Sequence, residues 1–262
     1  MLNGGIKLNG GIKMENSVKF LFSGDSALVI EFGNEISVDI NKKIRKMMDN
    51  IKKENIDGII ELVPTYCSLL VNYDVLKVDY QSLVEKLKTL LNDDNETVED
   101  EEVTLIEIPT LYNDECGPDL SYVAEYNKLS KEEVVKIHTG TDYLVYMLGF
   151  MPGFTYLGGM SEKIATPRLE SPRLQIYPGS VGIAGKQTGM YPSMSPGGWR
   201  IIGRTPLKLY NPDSETPVYI SSGDYIRYVS ISEEEYNNIL KKVENNEYKL
   251  NIRKVKRGEL NA

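Results

Sequence analysis

Five cations and no carboxylates occupy one window of this chain. Arg173, Lys186, Arg200, Arg204 and Lys208 fall between Ser171 and Pro212, a stretch without Asp or Glu, and Arg168 lies just before it. The whole chain has 38 acidic and 30 basic side chains, a net charge of -8, so the window is locally cationic. Guanidinium forks beside exposed backbone N–H groups suit a carboxylate or a phosphate. The same cations could equally pair with acids from elsewhere in the chain. Arg168, Arg173 and Arg204 are the better candidates for an anion site. Inside the window, Gly179–Leu207 contains seven Gly and three Pro. Val181, Ile183, Ala184, Trp199, Ile201 and Ile202 are interleaved with them, enough apolar surface to offset the entropy of ordering. The stretch is therefore expected to fold into tight turns and strands.

Other chemistries find less support. Gly185-Lys186 is followed by Gln187, and Ser180 stands where a Walker A motif needs its first Gly, so there is no P-loop. No strand–GxGxxG–helix arrangement surrounds the window, which removes the dinucleotide fingerprint. The sole histidine, His138, closes a predicted short helix. It could satisfy that helix's last carbonyls, or act as a proton carrier near neutral pH. One His without a Cys cluster does not make a zinc site, and no metal site is expected. No Ser–His–Asp set and no catalytic carboxylate pair can be picked out.

The elements that must hold these residues follow from length and pattern. The 262 residues are 41% hydrophobic and 26% charged, which suits one large or two small domains. The acidic balance argues against general nucleic-acid binding. No run reaches the ~20 apolar residues of a membrane span. Two cysteines, Cys67 and Cys116, cannot form a disulfide framework and suggest a reducing cytoplasm. Residues 1–13 repeat LNGGIK twice and are expected to be a leader ahead of a true start at Met14. Residues 14–94 read as a small α+β domain: two strands, a helix with Ile40, Ile44, Met47 and Ile51 on one face, two strands broken near Pro64, and a helix bearing Leu83 and Leu87. Residues 95–102 read as an acidic linker. From 103 to 231 a strand and two short helices precede a run of strands and turns, with a capping box spelled by Ser130 and Glu133. That pattern predicts a mainly antiparallel β-barrel or sandwich. Residues 232–262 read as a helix and a basic tail.

The segments HTGTDYLVYMLGFMPGFTYLGGM, ATPRLESPR, PGSVGIAGKQTGMYP and SPGGWRIIGRTPL closely resemble the KipI family, also described as allophanate hydrolase subunit 1-like or as the PxpB component of 5-oxoprolinase. The resemblance is dense over His138–Leu207 and extends over roughly 18–231. It implies that the barrel is cyclophilin-like, and that the chain works with a KipA-like subunit (PxpC). With a third, LamB/YcsF-like subunit (PxpA), such chains open 5-oxo-L-proline to L-glutamate while ATP, a co-substrate of the complex, is hydrolysed. Two other family roles are implied: inhibition of a sensor histidine kinase, and a carboxyltransferase-like half acting on a urea-type substrate. The resemblance further implies catalytic roles for His138, Gln187 and Arg204. Substrate contacts are implied for Tyr143, Pro152, Gly153, Phe154 and Arg168, and also for Arg173, Ser180, Thr188, Gly198 and Trp199. In that scheme Phe154 and Trp199 could wall a flat ring or belong to the core.

Overall fold

Alternating apolar residues set the first sheet. Leu28 and Ile30 lie opposite Val71 and Leu69 on the neighbouring strand, and all four are buried, as a side-chain period of two requires. The computed structural model describes residues 18–91 and 102–261. The expected leader, and the expected linker apart from Glu102, lie outside the described residues. Contacts divide the described residues into two compact units, one holding Val18–Val63 with Cys67–Thr89, the other Pro64–Tyr66 with Leu90, Leu91 and the described residues from Glu102 on.

The first unit runs β1 (Lys19–Phe22), β2 (Ala27–Glu31), α1 (Val38–Glu54), β3 (Ile59–Pro64), β4 (Ser68–Tyr73) and α2 (Tyr80–Thr89). Its sheet has the order β1-β2-β4-β3, with antiparallel β1–β2 and β2–β4 pairs. Helix α1 buries Ile40, Ile44, Met47 and Ile51, and α2 buries Leu83, Val84 and Leu87. Spacings of three and four residues place each set on one helical face. Helix α1 stops at Asn55, which is left-handed (φ 49°), with Lys52 and Lys53 in the last turn facing the negative end of the helix dipole.

The second unit opens with β5 (Glu102–Thr110), α3 (Leu120–Tyr126) and α4 (Lys131–Thr139). The expected capping box is present: Ser130 Oγ accepts from Glu133 N, and the Glu133 carboxylate accepts from Ser130 N. Then come β6 (Asp142–Leu148), β7 (Thr155–Gly158), β8 (Arg173–Ile176), β9 (Ser180–Ala184), β10 (Gln187–Met190), β11 (Ser195–Gly197), β12 (Arg200–Arg204) and β13 (Tyr225–Ser230). Helix α5 (Glu233–Glu244) and strand β14 (Ile252–Lys256) complete it. Eight strands form one sheet in the order β12-β9-β10-β7-β6-β13-β5-β14, and β8 and β11 form a separate ribbon.

The fold is mixed α+β, as expected, but the closed barrel is not seen. The sheet keeps two edge strands, β12 and β14. One residue pair links β12 to the chain just beyond β5: Leu111 N donates to Arg204 O at 2.9 Å and Arg204 N to Leu111 O at 3.0 Å. The reason lies in the tail. Residues expected to trail off as a basic end instead form β14, antiparallel to β5 from Ile252↔Ile106 to Lys256↔Glu102. That pairing occupies the first half of a β5 edge and leaves only its end for β12. Arg227 clamps Asp142 at 2.6 Å through both Nε and Nη2, and Asn261 N donates to the same carboxylate at 2.8 Å. The principal core of the second unit contains Ile106, Val145, Val181, Ile183, Ile202 and Ile226.

Candidate functional site

Strand β10 separates two groups of residues. Thr188 is fully buried on one face; Gln187 and Gly189 belong to the other. On the inner face, His138 Nε2 lies 2.8 Å from Thr188 Oγ1, and Nδ1 lies 2.8 Å from the Tyr112 hydroxyl. Thr188 donates its one proton to Gly182 O at 3.0 Å. The imidazole therefore donates from Nε2 to Thr188 and accepts from Tyr112 at Nδ1, which is a neutral tautomer. Tyr143 donates its hydroxyl to His138 O at 2.7 Å, and the Tyr228 ring centroid is 4.5 Å from the imidazole. Burial pushes the His138 pKa down to about 3, because the cation would lose its hydration with no acid to replace it. Near neutral pH the ring is therefore held in its neutral form, hydrogen-bonded at both nitrogens.

The outer face carries a second cluster, in which Phe154, Tyr191, Trp199 and Ile201 pack together. The Phe154 and Trp199 rings meet edge-to-face at 5.5 Å. Gly189 makes this possible, because a Cβ there would stand 2.8 Å from Thr155 O and 3.2 Å from the indole. Trp199 is only 5% exposed and Phe154 only 2%. They form the base of this face, and Phe150 beside Phe154, at 67% exposure, meets solvent. Pro152 and Gly153 belong to the connection between β6 and β7, where a Gly153 Cβ would meet Leu209 O at 3.0 Å and Pro192 at 3.2 Å. Gly198 O accepts from Leu169 N at 2.7 Å, tying the β7–β8 connection down beside Trp199.

The cations divide in the same spirit. Arg173 is bidentate to the buried carboxylate of Asp119, both contacts at 2.9 Å, and is not a free anion receptor. Asp119 also accepts from Ile201 N at 2.7 Å and has Arg200 Nη1 at 3.9 Å. Lys186 pairs with Glu162. Arg168 and Arg204 have no carboxylate within ion-pair distance among the described residues. Arg168 sits 5.9 Å from the Trp199 ring centroid. Arg204 lies 5.2 Å from the Tyr177 ring and donates Nε to Pro178 O at 3.0 Å. Ser180, its cross-strand partner, is buried and follows Gly179, whose φ of +81° and 2.3 Å Cβ distance to Thr205 O admit no side chain. Gln187 Nε2 donates to the Tyr66 hydroxyl at 2.6 Å, and burial pushes that phenol up to about 12.

Most of the thirteen expected site residues fall into three groups. His138, Tyr143 and Thr188 lie together inside; Phe154, Arg168, Arg173, Gly198 and Trp199 lie together outside; Ser180, at the start of β9, pairs with Arg204 at the end of β12. Two cavities, of about 430 and 300 Å³, are lined by other residues. Sequence reasoning missed Tyr66, Tyr112, Asp119, Tyr191 and Tyr228. Seventeen tyrosines against five phenylalanines were a signal that buried rings here would bring hydroxyls. No group of three or more His, Cys, Asp or Glu among the described residues is arranged for a metal ion, and no helix among them is long and apolar enough to cross a membrane.

A four-stranded sheet, an open eight-stranded one and a carboxylate-free Gly/Pro window folded onto the latter define a class. Residues 18–220 match the carboxyltransferase domain, subdomain C and D, and the chain belongs to that family. Across 91% of its length it also superposes on 24% of the urea carboxylase of Kluyveromyces lactis, with a TM-score of 0.75 at 18% identity, a likeness of fold. Within the family, the B component of 5-oxoprolinase from Bacillus subtilis (strain 168) is 46% identical over 222 residues, 81% of this chain and 92% of that protein. The component of the same name from Escherichia coli O157:H7 is 37% identical over 209 residues, 79% and 93% of the two chains. The resemblance carried by the four quoted segments is borne out.

Proposed function

We propose that this chain is a cytoplasmic subunit of an ATP-dependent 5-oxoprolinase, inactive alone and working with KipA-like and LamB/YcsF-like partners. The observation that carries this reading is the 46% identity to the B component of a 5-oxoprolinase over nearly all of that protein. We take the domains as 14–94 and 103–231. The second is read as a cyclophilin-like barrel, a reading supported by the Leu111–Arg204 bridge at the open seam.

Amide resonance makes a five-membered lactam a poor electrophile, so its hydrolysis gains from coupling to ATP. Transfer of the γ-phosphoryl group to the lactam oxygen releases ADP and leaves an activated C=N carbon. Water adds there, the C–N bond breaks with the nitrogen taking a proton, and an acyl phosphate remains. A second water releases phosphate and L-glutamate. Fixed cations and N–H donors that meet the developing oxyanion lower these barriers. In this chain Arg168 and Arg204 are the cations without an acid partner among the described residues, and we assign them to the substrate carboxylate or the phosphoryl group. Gln187 and the Gly198 backbone are assigned as neutral contacts, and the Pro152–Gly153 loop as the rim. His138, Tyr143 and Thr188 are assigned as positioning residues that hold β10 from within. Ser180 and Arg173 set the course of the backbone around Arg204 and Trp199.

Reconstitution tests the reading. The purified chain leaves 5-oxo-L-proline intact, and adding both partner subunits with ATP yields glutamate and phosphate. Unchanged turnover when this chain is omitted removes it from the enzyme. A second reading, a carboxyltransferase-like half acting on a urea-type substrate, is favoured by the family match itself. No Ala-Met-Lys-Met biotinylation motif occurs here, so the biotinyl group would come from a partner. Carboxyl transfer from carboxybiotin to urea by the reconstituted complex, without glutamate formation, would establish that reading instead.

A further inference from the structure

A cleft of about 300 Å³ opens in the second unit between the β12–β13 connection, the end of α5 and β14. It shares no residue with the sites described above. One wall is apolar, with Val243, Leu250 and the half-exposed Ile252. Lys208 and Asn211 also line the cleft, and no Asp or Glu does. Lys208 Nζ donates to Asn211 Oδ1 at 2.8 Å, a neutral acceptor, and has no carboxylate within ion-pair distance among the described residues. Tyr219 also lines the cleft, and its hydroxyl is buried without a hydrogen-bond partner. Burial, and then the neighbouring Tyr248 phenol, raise the Tyr219 pKa, so the hydroxyl keeps its proton. Natural structures seldom leave a buried hydroxyl unpaired unless something else satisfies it. The volume is at the small end of ligand pockets, room for about one ring and a head group.

We propose that this cleft binds a small amphipathic carboxylate. Its anionic head meets Lys208 and Asn211, the Tyr219 hydroxyl donates to it, and its hydrocarbon body covers Val243, Leu250 and Ile252. A cationic ligand is excluded because no acid faces the space. A purely polar anion leaves the apolar wall wet.

Calorimetric titration of the full chain with phenylacetate tests the site. One saturable site is expected, with phenylacetamide and acetate each at least about tenfold weaker, since one loses the charge and the other the apolar body. Lys208→Met is expected to weaken phenylacetate by about tenfold or more, and Lys208→Arg to keep most of the affinity. Tyr219→Phe removes an unsatisfied hydroxyl, so it leaves the urea midpoint of the free protein unchanged or raised while weakening phenylacetate severalfold. Absence of saturable binding overturns the proposal. So does equal affinity for phenylacetamide, or full affinity in a folded Lys208→Met protein.

Discussion

The two faces of β10 carry neighbouring residues into different physical regimes. Thr188 and His138 are sealed inside, where a neutral imidazole relays between two hydroxyls at 2.8 Å on each side. Gln187, one residue earlier, reaches the outer face; Arg168 beside Trp199 and Arg204 at the end of β12 keep charge that no acid among the described residues pairs. The inner ring has complete hydrogen bonding around the imidazole and no access for a solute. The outer cluster holds Arg168, which has no acid partner among the described residues, and an exposed aromatic, Phe150. Resemblance in sequence does not distinguish the two groups, because both lie in the same dense segments. Strand parity does: Gln187 and Thr188 lie on opposite faces of β10, and the inward set of His138, Tyr143 and Thr188 is sealed from solvent.

The largest test of that contrast is His138→Ala. It opens a cavity in a fully buried site and strips a partner from both Tyr112 and Thr188. A loss of about 3 kcal/mol is expected, read by urea unfolding through Trp199, the only tryptophan. A change below about 0.5 kcal/mol, the scale of ordinary surface substitutions, would break the contrast at its inner side.

A second test uses pH. Unfolded, His138 titrates near 6.5; folded, it is held down to about 3. Between those values the unfolded chain binds a proton that the folded chain refuses, so stability falls as pH drops through 6.5 and the loss is complete near 3. From pH 7 to 5 the His138 contribution is on the order of 2 kcal/mol. His138→Gln keeps a donor and an acceptor without a titrating ring and should lack that part of the slope. Equal slopes in the two proteins would show that the imidazole is hydrated or paired in the native state.

Local features were legible from residues alone. The Ser130–Glu133 capping box, the apolar faces of α1 and α2, and the order of the Gly/Pro window are short-range properties. What escaped was through-space. Strand β14 is written IRKVK and is mostly exposed, so no buried alternation announces it; its partner β5 lies far back in the chain. The cationic window looks unopposed in the sequence because its acid, Asp119, stands 54 residues before Arg173. The inner and outer sets could have been separated from the sequence by counting parity from the Gly185-Lys186 turn. Nothing in the residues said which parity faces the core.

Truncating Arg204 is expected to have the smallest structural effect and the sharpest functional one. Its backbone N–H and C=O form the bridge to Leu111, and truncating the side chain leaves both in place. The side chain itself contributes one hydrogen bond to Pro178 O and a contact with the half-exposed Tyr177 ring. Arg204→Ala should therefore change stability by less than about 1 kcal/mol, while 5-oxoprolinase turnover of the reconstituted complex falls by about tenfold or more. Arg204→Lys keeps a charge without the planar fork and should fall between the two. If Arg204→Ala unfolds as readily as His138→Ala, the outer cation belongs to the scaffold like the inner histidine. If it folds normally and turnover is unchanged, the anion contact rests with Arg168 instead, and Arg168→Ala becomes the variant that must lose activity.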